Sequence, residues 1–302
     1  MLLQVFYFAL SIVGLYFGAE LSLESSEKVG KSWRLSPLLI GMFIVGFGTS
    51  LPEFFVSQLA CFRGVPSMAI GNIIGSNIAN IFLILGLSSI FYALGLEGRE
   101  INKQFKFHLV LSLILAVIIY LGAVNIITTV VLSIFMAVYF YLNLSANQLE
   151  EIEKTDVNKI DYAKILIGFA LLYGSGELLV FSGANLGREW GMSEFAISAI
   201  FVAFGTSFPE LVTALLACYR KKDTNLVIGN VIGSNIFNGA FVLGSIGFYN
   251  FKLEALFFKE VSALVLVSFF FLLFNFLRFR ISRKISALFL GIYSIFVFWW
   301  LN

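Results

Sequence analysis

Apolar runs of roughly bilayer length alternate along this chain with short polar connections. Taking about 20 apolar residues per span, the runs fall near 2–23, 36–62, 66–96, 106–122, 126–146, 163–184, 195–219, 225–250, 258–277 and 284–301. The pattern predicts an all-α integral membrane protein of ten transmembrane helices. The run from Leu2 to Ala19 lacks a basic segment ahead of it and is long enough to span, so it reads as the first helix rather than a removable signal peptide. The longest polar connection, Asn147 to Asp161, divides the chain into a first half (1–146), a linker (147–161) and a second half (162–302).

Polar words recur inside this apolar text. Phe47-Gly48-Thr49-Ser50-Leu51-Pro52-Glu53 returns as Phe204-Gly205-Thr206-Ser207-Phe208-Pro209-Glu210, matching at all but one position. Gly71-Asn72-Ile73-Ile74-Gly75-Ser76-Asn77-Ile78-Ala79-Asn80 returns as Gly229-Asn230-Val231-Ile232-Gly233-Ser234-Asn235-Ile236-Phe237-Asn238. The two halves are therefore repeats. Five spans per repeat, an odd number, insert the second copy upside down, and inverted repeats of this kind place their binding site at mid-membrane between discontinuous helices.

Composition agrees: 59% of the 302 residues are hydrophobic and 13% charged, against roughly 25% charge in a soluble domain. The mean hydropathy is +0.94. Net charge of +2 says little about partners, because the charges are segregated by position. With the N-terminus outside, the inner connections would hold Lys28, Lys31, Arg34, Arg99, Lys103, Lys106, Lys154, Lys159, Lys164, Arg220, Lys221, Lys222, Arg278, Arg280, Arg283 and Lys284, leaving only Arg63, Arg188, Lys252 and Lys259 outside. Positive charge favours the cytoplasmic side, so both termini are expected outside a cell (inner) membrane, with the linker cytoplasmic.

The buried chemistry centres on Glu53 and Glu210. Thr49 or Ser50 could serve as an N-cap, with Pro52 in the first turn and Glu53 as a capping carboxylate. That accounts for the residue types but not their depth: a charge in mid-span costs on the order of 3 kcal/mol or more and normally faces a partner or a watery cavity. Pro52, Gly46 and Gly48 favour an unwound turn that frees carbonyl oxygens, tolerated in a membrane only where it lines a cavity. On the next span Asn72, Ser76 and Asn80, and in the second copy Asn230, Ser234 and Asn238, share one helix face. For Ser76, Asn80, Ser234 and Asn238 an ion-site role is favoured; Asn72 and Asn230 are balanced between that role and helix-to-helix hydrogen bonding. Carboxylates, hydroxyls, amides and carbonyls without His or Cys suit a hard cation such as Ca²⁺ or Na⁺. His108 is placed at the inner interface and given no role. Glu20 and Glu177, which match across the repeats, are read as capping or interhelix groups. Cys61 and Cys218 are read as small residues near helix ends.

With the doubled words in view, the chain resembles the calcium/cation antiporter superfamily, specifically its sodium/calcium exchanger branch. The resemblance implies ten helices in two inverted repeats, with ion sites between the second, third, seventh and eighth spans. It implies Glu53 and Glu210 at the centre, Thr49 and Thr206 binding Ca²⁺ through backbone oxygens, and Ser50, Ser207, Ser76 and Ser234 at sodium sites. Asn80 and Asn238 match the positions on the third and eighth spans. Members that also carry K⁺ have an acid at the position of Asn238, which disfavours potassium. The implied activity is antiport of several Na⁺ for one Ca²⁺ across the lipid bilayer, with no covalent cofactor, nucleic acid or obligate protein partner. A Ca²⁺/H⁺ antiporter with the same glutamates carrying protons is the alternative. A cation channel would want a continuous pore, usually from several subunits, and an intramembrane enzyme would need a nucleophile–base pair or a metal triad, for which one histidine and no HExxH leave little to build from.

Overall fold

The computed structural model describes residues 2–64, 66–147, 156–191, 205, 207–220, 224–253 and 257–301. Eight helices among them are long and apolar enough to cross a membrane: α1 (Leu2–Ser32), α4 (Pro66–Phe91), α5 (Arg99–Leu121), α6 (Ile126–Asn147), α7 (Lys159–Glu189), α9 (Thr224–Tyr249), α10 (Phe258–Phe276) and α11 (Arg283–Leu301). A ninth span is a broken one, α2 (Pro37–Thr49) followed by α3 (Leu51–Phe62) at a bend of 40°. The last helix, α8 (Phe208–Tyr219), is the described part of the expected seventh span; the rest of that span up to 204, together with Thr206, lies outside the described residues.

Helices α4 and α9 occupy the centre, with 78% and 94% of their apolar windows buried, whereas α1 buries 22% and turns large apolar side chains such as Phe6 and Phe17 outward. An outward surface of that kind suits lipid rather than water.

Two helices outrun the apolar windows that announce them. Helix α1 continues past 23 to Ser32 because Ser22, Ser25, Ser26, Val29 and Gly30 are buried, so its polar last turns are covered by protein. It crosses α7 at Gly18 and Gly168: a Cβ on Gly18 would meet Leu172 N at 2.8 Å, and one on Gly168 would meet Ser22 N at 2.7 Å. Helix α7 starts at Lys159, ahead of the expected 163, because Asn158 and Asp161 form a reciprocal cap. Asn158 Oδ1 accepts from the Ile160 and Asp161 amides at 2.9 and 3.1 Å, and Asp161 Oδ2 accepts from the Asn158 amide at 3.0 Å. Asp161 Oδ2 also pairs with Lys28 Nζ at 2.8 Å, tying α7 to α1. Replacing Asn158 by Ala is expected to destabilise the protein by about 1 kcal/mol, read as a lower melting temperature in detergent; an unchanged melting temperature would show that the cap contributes nothing.

Among the described residues, four two-residue strands, β1 (Leu94–Gly95), β2 (Ala123–Val124), β3 (Phe251–Lys252) and β4 (Arg280–Ile281), join the ends of the helices. β1 pairs antiparallel with β4, Leu94 opposite Ile281 and Gly95 opposite Arg280; β2 pairs with β3, Val124 opposite Phe251 and Ala123 opposite Lys252. Moving each residue of one pair by the 157-residue offset of the repeated glutamates gives the residues of the other, in the same register.

Candidate ion-binding site

The broken span positions the carboxylates. Ser50 precedes α3 with φ −85° and ψ 2°, and Ser207 precedes α8 with φ −90° and ψ 6°. Pro52 and Pro209 follow in the first turn, where a missing N–H leaves no intrahelical bond unmade. Glu53 and Glu210 then fall in the first turn of a helix, whose free N–H groups favour negative charge. Both are fully buried.

The simple capping reading fails in one respect: neither Ser50 nor Ser207 makes a side-chain cap hydrogen bond. The Ser50 hydroxyl instead donates to Glu210 Oε1 at 3.4 Å, across the halves. Ser76 on α4 donates to Glu53 Oε1 at 3.3 Å. Thr49 Oγ1 donates to Val45 O at 3.1 Å and lies 3.5 Å from Ser234 Oγ, which donates to Gly46 O at 3.2 Å. Ser50 and Ser234 thus each reach into the opposite half, one to its carboxylate and the other to its broken span.

Among the described residues, three π-helical stretches frame this centre: Gly41–Gly46 in α2, Ala79–Leu85 in α4 and Phe237–Val242 in α9. Single wide turns of this type recur at functional sites. Asn80 and Asn238 each lie within one, a turn beyond Ser76 and Ser234 respectively. Asn80 Nδ2 donates to Asn235 Oδ1 at 3.0 Å, leaving its own Oδ1 buried without a partner among the described residues. Both polar atoms of the Asn238 amide and Glu210 Oε2 are in the same condition. An unmet buried polar atom costs about 1–3 kcal/mol, and oxygens so placed, one turn from Ser76 and Ser234, are of the kind a hard cation binds.

Of the ten residues singled out in the sequence, Thr49, Ser50, Glu53, Ser76, Glu210 and Ser234 are drawn together by these contacts. Asn80 and Asn238 lie one turn away, and Ser207 is buried at the start of α8. Thr206 lies outside the described residues. Asn72 and Asn230 both tie helices, Asn72 Nδ2 donating to Glu53 O at 3.2 Å and Ser57 Oγ at 3.0 Å and Asn230 Nδ2 donating to Thr213 Oγ1 at 3.2 Å, while Asn230 Oδ1 also lies 3.5 Å from Thr49 Oγ1. Glu20 on α1 makes an interhelix ion pair with Arg220, which also reaches Glu24 at 2.8 Å and the Tyr16 hydroxyl at 3.3 Å.

Two features escape the sequence reading. Asn77 and Asn235 exchange hydrogen bonds reciprocally, each Nδ2 donating to the other's backbone carbonyl at 3.3 and 3.2 Å. Their recurrence inside the doubled word is the signal that marks them, although they lie off the Ser/Asn stripe. His108 lies not at the start of its helix, where hydropathy puts it, but buried at the third turn of α5, beside Asn235 and Ser268. Helix α5 begins at Arg99 rather than near 106, which carries the ring deeper into the bundle.

A cavity of about 750 Å³, lined among others by Asn72, Ser76, Glu177, Gly205, Glu260 and Trp300, reaches the centre beside Ser76. Glu260 in its wall accepts from Trp300 Nε1 at 2.8 Å.

A family profile described as sodium/calcium exchanger protein matches residues 3–145 and 161–302. The chain belongs to the sodium/calcium exchanger family. It is 33% identical over 302 residues to an uncharacterized membrane protein of Methanocaldococcus jannaschii, covering 98% of this chain and 97% of that one. It is 30% identical over 254 residues to the inner membrane protein YrbG of Escherichia coli, covering 78% of each. Among solved structures, the sodium-calcium exchanger NCX_Mj soaked with Na⁺ and Sr²⁺ aligns at a TM-score of 0.83 and 32% identity, over 97% of both chains. Membership of the sodium/calcium exchanger family makes this a multi-span membrane transport protein, as its apolar helices require.

Proposed function

We propose that this chain exchanges Na⁺ for Ca²⁺ across a cell membrane by alternating access, several Na⁺ per Ca²⁺ and with net charge movement. The observation that carries the reading is the buried pair Glu53 and Glu210, each in the first turn of a helix that starts at a break and each receiving a serine hydroxyl. The ion ligands are Glu53, Glu210, Thr49, Thr206, Ser50, Ser207, Ser76, Ser234, Asn80 and Asn238.

Ten spans in two inverted repeats fit this role, divided by a cytoplasmic linker over 147–161 and with both termini outside. The equivalent registers of the β1–β4 and β2–β3 pairs and the reciprocal Asn77–Asn235 bonds support a twofold relation between the halves. By the charge distribution, one strand pair then lies at each face of the membrane.

Two like charges in a dry centre repel, and an empty charged site resists occlusion. The centre therefore reorients only when neutralised, by one Ca²⁺ or by several Na⁺, and this requirement couples the two fluxes. If three Na⁺ enter for each Ca²⁺ leaving, one net charge moves inward, and a membrane potential of about 100 mV adds roughly 2.3 kcal/mol per cycle to Ca²⁺ extrusion.

The test is ⁴⁵Ca²⁺ uptake into proteoliposomes loaded with Na⁺, with K⁺ or with acidic buffer. Uptake is expected only with an outward Na⁺ gradient. Because the excess Na⁺ charge then leaves the vesicle, an interior held negative should slow uptake and one held positive should speed it. Uptake driven by the proton gradient alone would transfer the chain to proton coupling, and uptake indifferent to all gradients would end the antiporter reading.

A further inference from the structure

We infer that His108 is a positioning residue for Ca²⁺ binding, acting through the Asn235 amide to hold the Asn80 carbonyl oxygen toward the ion; the inference rests on the exchange reading above. The hydrogen bonds run in one direction. Ser268 Oγ donates to Leu264 O at 2.5 Å, so toward His108 it accepts, from Nδ1–H at 2.6 Å. The neutral ring then has only an acceptor at Nε2, and Asn235 Nδ2 lies 3.1 Å from it. With its amino group committed to His108 and to Asn77 O, Asn235 presents Oδ1 to Asn80, whose Nδ2 donates to it. Asn80 is left with Oδ1 as its free end, buried and without a partner among the described residues.

Without an acceptor at position 108, the Asn235 amino group loses one of its two anchors, and only the Asn77 carbonyl still opposes a turn of the amide. Asn80 would follow, offering N–H groups where a cation needs oxygen. Among the described residues the second half has no such device. Asn77, the counterpart of Asn235, keeps an unpartnered Oδ1, and Asn238, the counterpart of Asn80, has neither amide atom fixed. His108 thus fixes one of the two equivalent amides and leaves the other adaptable.

The test compares His108→Leu, which keeps bulk but removes the acceptor, with His108→Gln, which restores an acceptor near Nε2. For Na⁺-driven ⁴⁵Ca²⁺ uptake, His108→Leu is expected to raise KM for Ca²⁺ about tenfold, the equivalent of about 1.4 kcal/mol, with maximal rate within about threefold of wild type. His108→Gln should stay within about threefold in both. Should the Leu variant not fold, Ser268→Ala, which frees the ring to rotate, should raise KM in the same sense. An unchanged KM in the folded Leu variant, or equal losses in Leu and Gln, overturns the inference. Failure of wild-type protein to exchange at all would instead overturn the function proposed above.

A separate observation points to an alternating latch. Tyr16, Glu20 and Arg220 form one cluster. The 157-residue offset maps Tyr16 to Tyr173 and Glu20 to Glu177, while Arg63 maps to Arg220. The second set is apart: Glu177 lines the cavity beside Ser76, and Arg63 is exposed at the end of α3, with no ion pair between them among the described residues. If the halves exchange conformations during transport, the closed cluster opens as the open one closes, so Arg63 meets Glu177 when the cavity shuts.

Cysteine pairs read this directly. In a Cys61→Ala, Cys218→Ala background, Arg63→Cys with Glu177→Cys is expected to be bridged during Ca²⁺ turnover by a cleavable bifunctional thiol reagent long enough to replace an Arg–Glu pair, beyond the roughly 7 Å Cα limit of a disulfide, and uptake is expected to halt until the bridge is cleaved. Absence of cross-linking during turnover, or cross-linking that leaves uptake intact, overturns the latch while leaving wild-type exchange as its own control.

Discussion

Glu53→Gln and Glu210→Gln each lower Na⁺-driven ⁴⁵Ca²⁺ uptake by at least about 100-fold without unfolding the protein. Each substitution keeps the shape of a fully buried side chain and removes one of the two charges that would face the cation. Removing one partner of a buried charge interaction costs about 3–5 kcal/mol, and each 1.4 kcal/mol is about a factor of ten. The empty protein, relieved of repulsion, should melt at or above the wild-type temperature, which separates a lost ligand from a lost fold. The two variants should be similarly impaired, because the carboxylates occupy equivalent first-turn positions on α3 and α8. Uptake within threefold of wild type in either variant would remove that carboxylate from the site.

Gly229→Val, or Gly41→Val, prevents the central helices from meeting and abolishes folded protein. A Cβ on Gly229 would press on the Leu38 carbonyl and lie 3.2 Å from Met42 N, and one on Gly41 would press on the Leu226 carbonyl and lie 2.8 Å from Asn230 N. These are backbone atoms of tightly packed helices and cannot swing aside as a side chain end can. Overpacking a core costs typically about 1–3 kcal/mol, and here the strain falls on the π-helical stretch that leads to Thr49 and Ser50. Size-exclusion chromatography in mild detergent should show aggregate in place of a monodisperse peak. Gly174→Ala, at an exposed position of α7, serves as the contrast and should be neutral or stabilising by roughly 0.5–1 kcal/mol. A monodisperse Gly229→Val protein with wild-type uptake would show that the crossing can yield.

The repeated words make the centre legible in the sequence. A carboxylate beside Thr-Ser and Pro, doubled in an apolar chain, points at that depth to a buried cation, and Ser76 and Ser234 follow from helical spacing. The route of each polar contact is not legible. Local chemistry suggests Ser50 as a cap, yet its hydroxyl crosses to Glu210 in the other half, a choice that only tertiary proximity decides. Hydropathy misplaces His108 because it ends a span at polar residues, whereas α5 continues through Lys103, Gln104 and Lys106 to Arg99. The same limitation hides the last turns of α1, whose serines are covered by protein. The π-helical turns leave no periodic trace, since each widens a single turn within an otherwise regular pattern.

The strand pairs also set an order of assembly. β1 follows α4 directly, but its partner β4 is made only after α10 is complete. Every residue assigned to the ion site precedes that point, the last being Asn238. During synthesis, which proceeds from the N-terminus, the ligands are therefore all made before the clasp that joins the end of α4 to the end of α10. The ion centre is thus complete in its ligands while the pairing that ties the end of α4 to the end of α10 is still to be made.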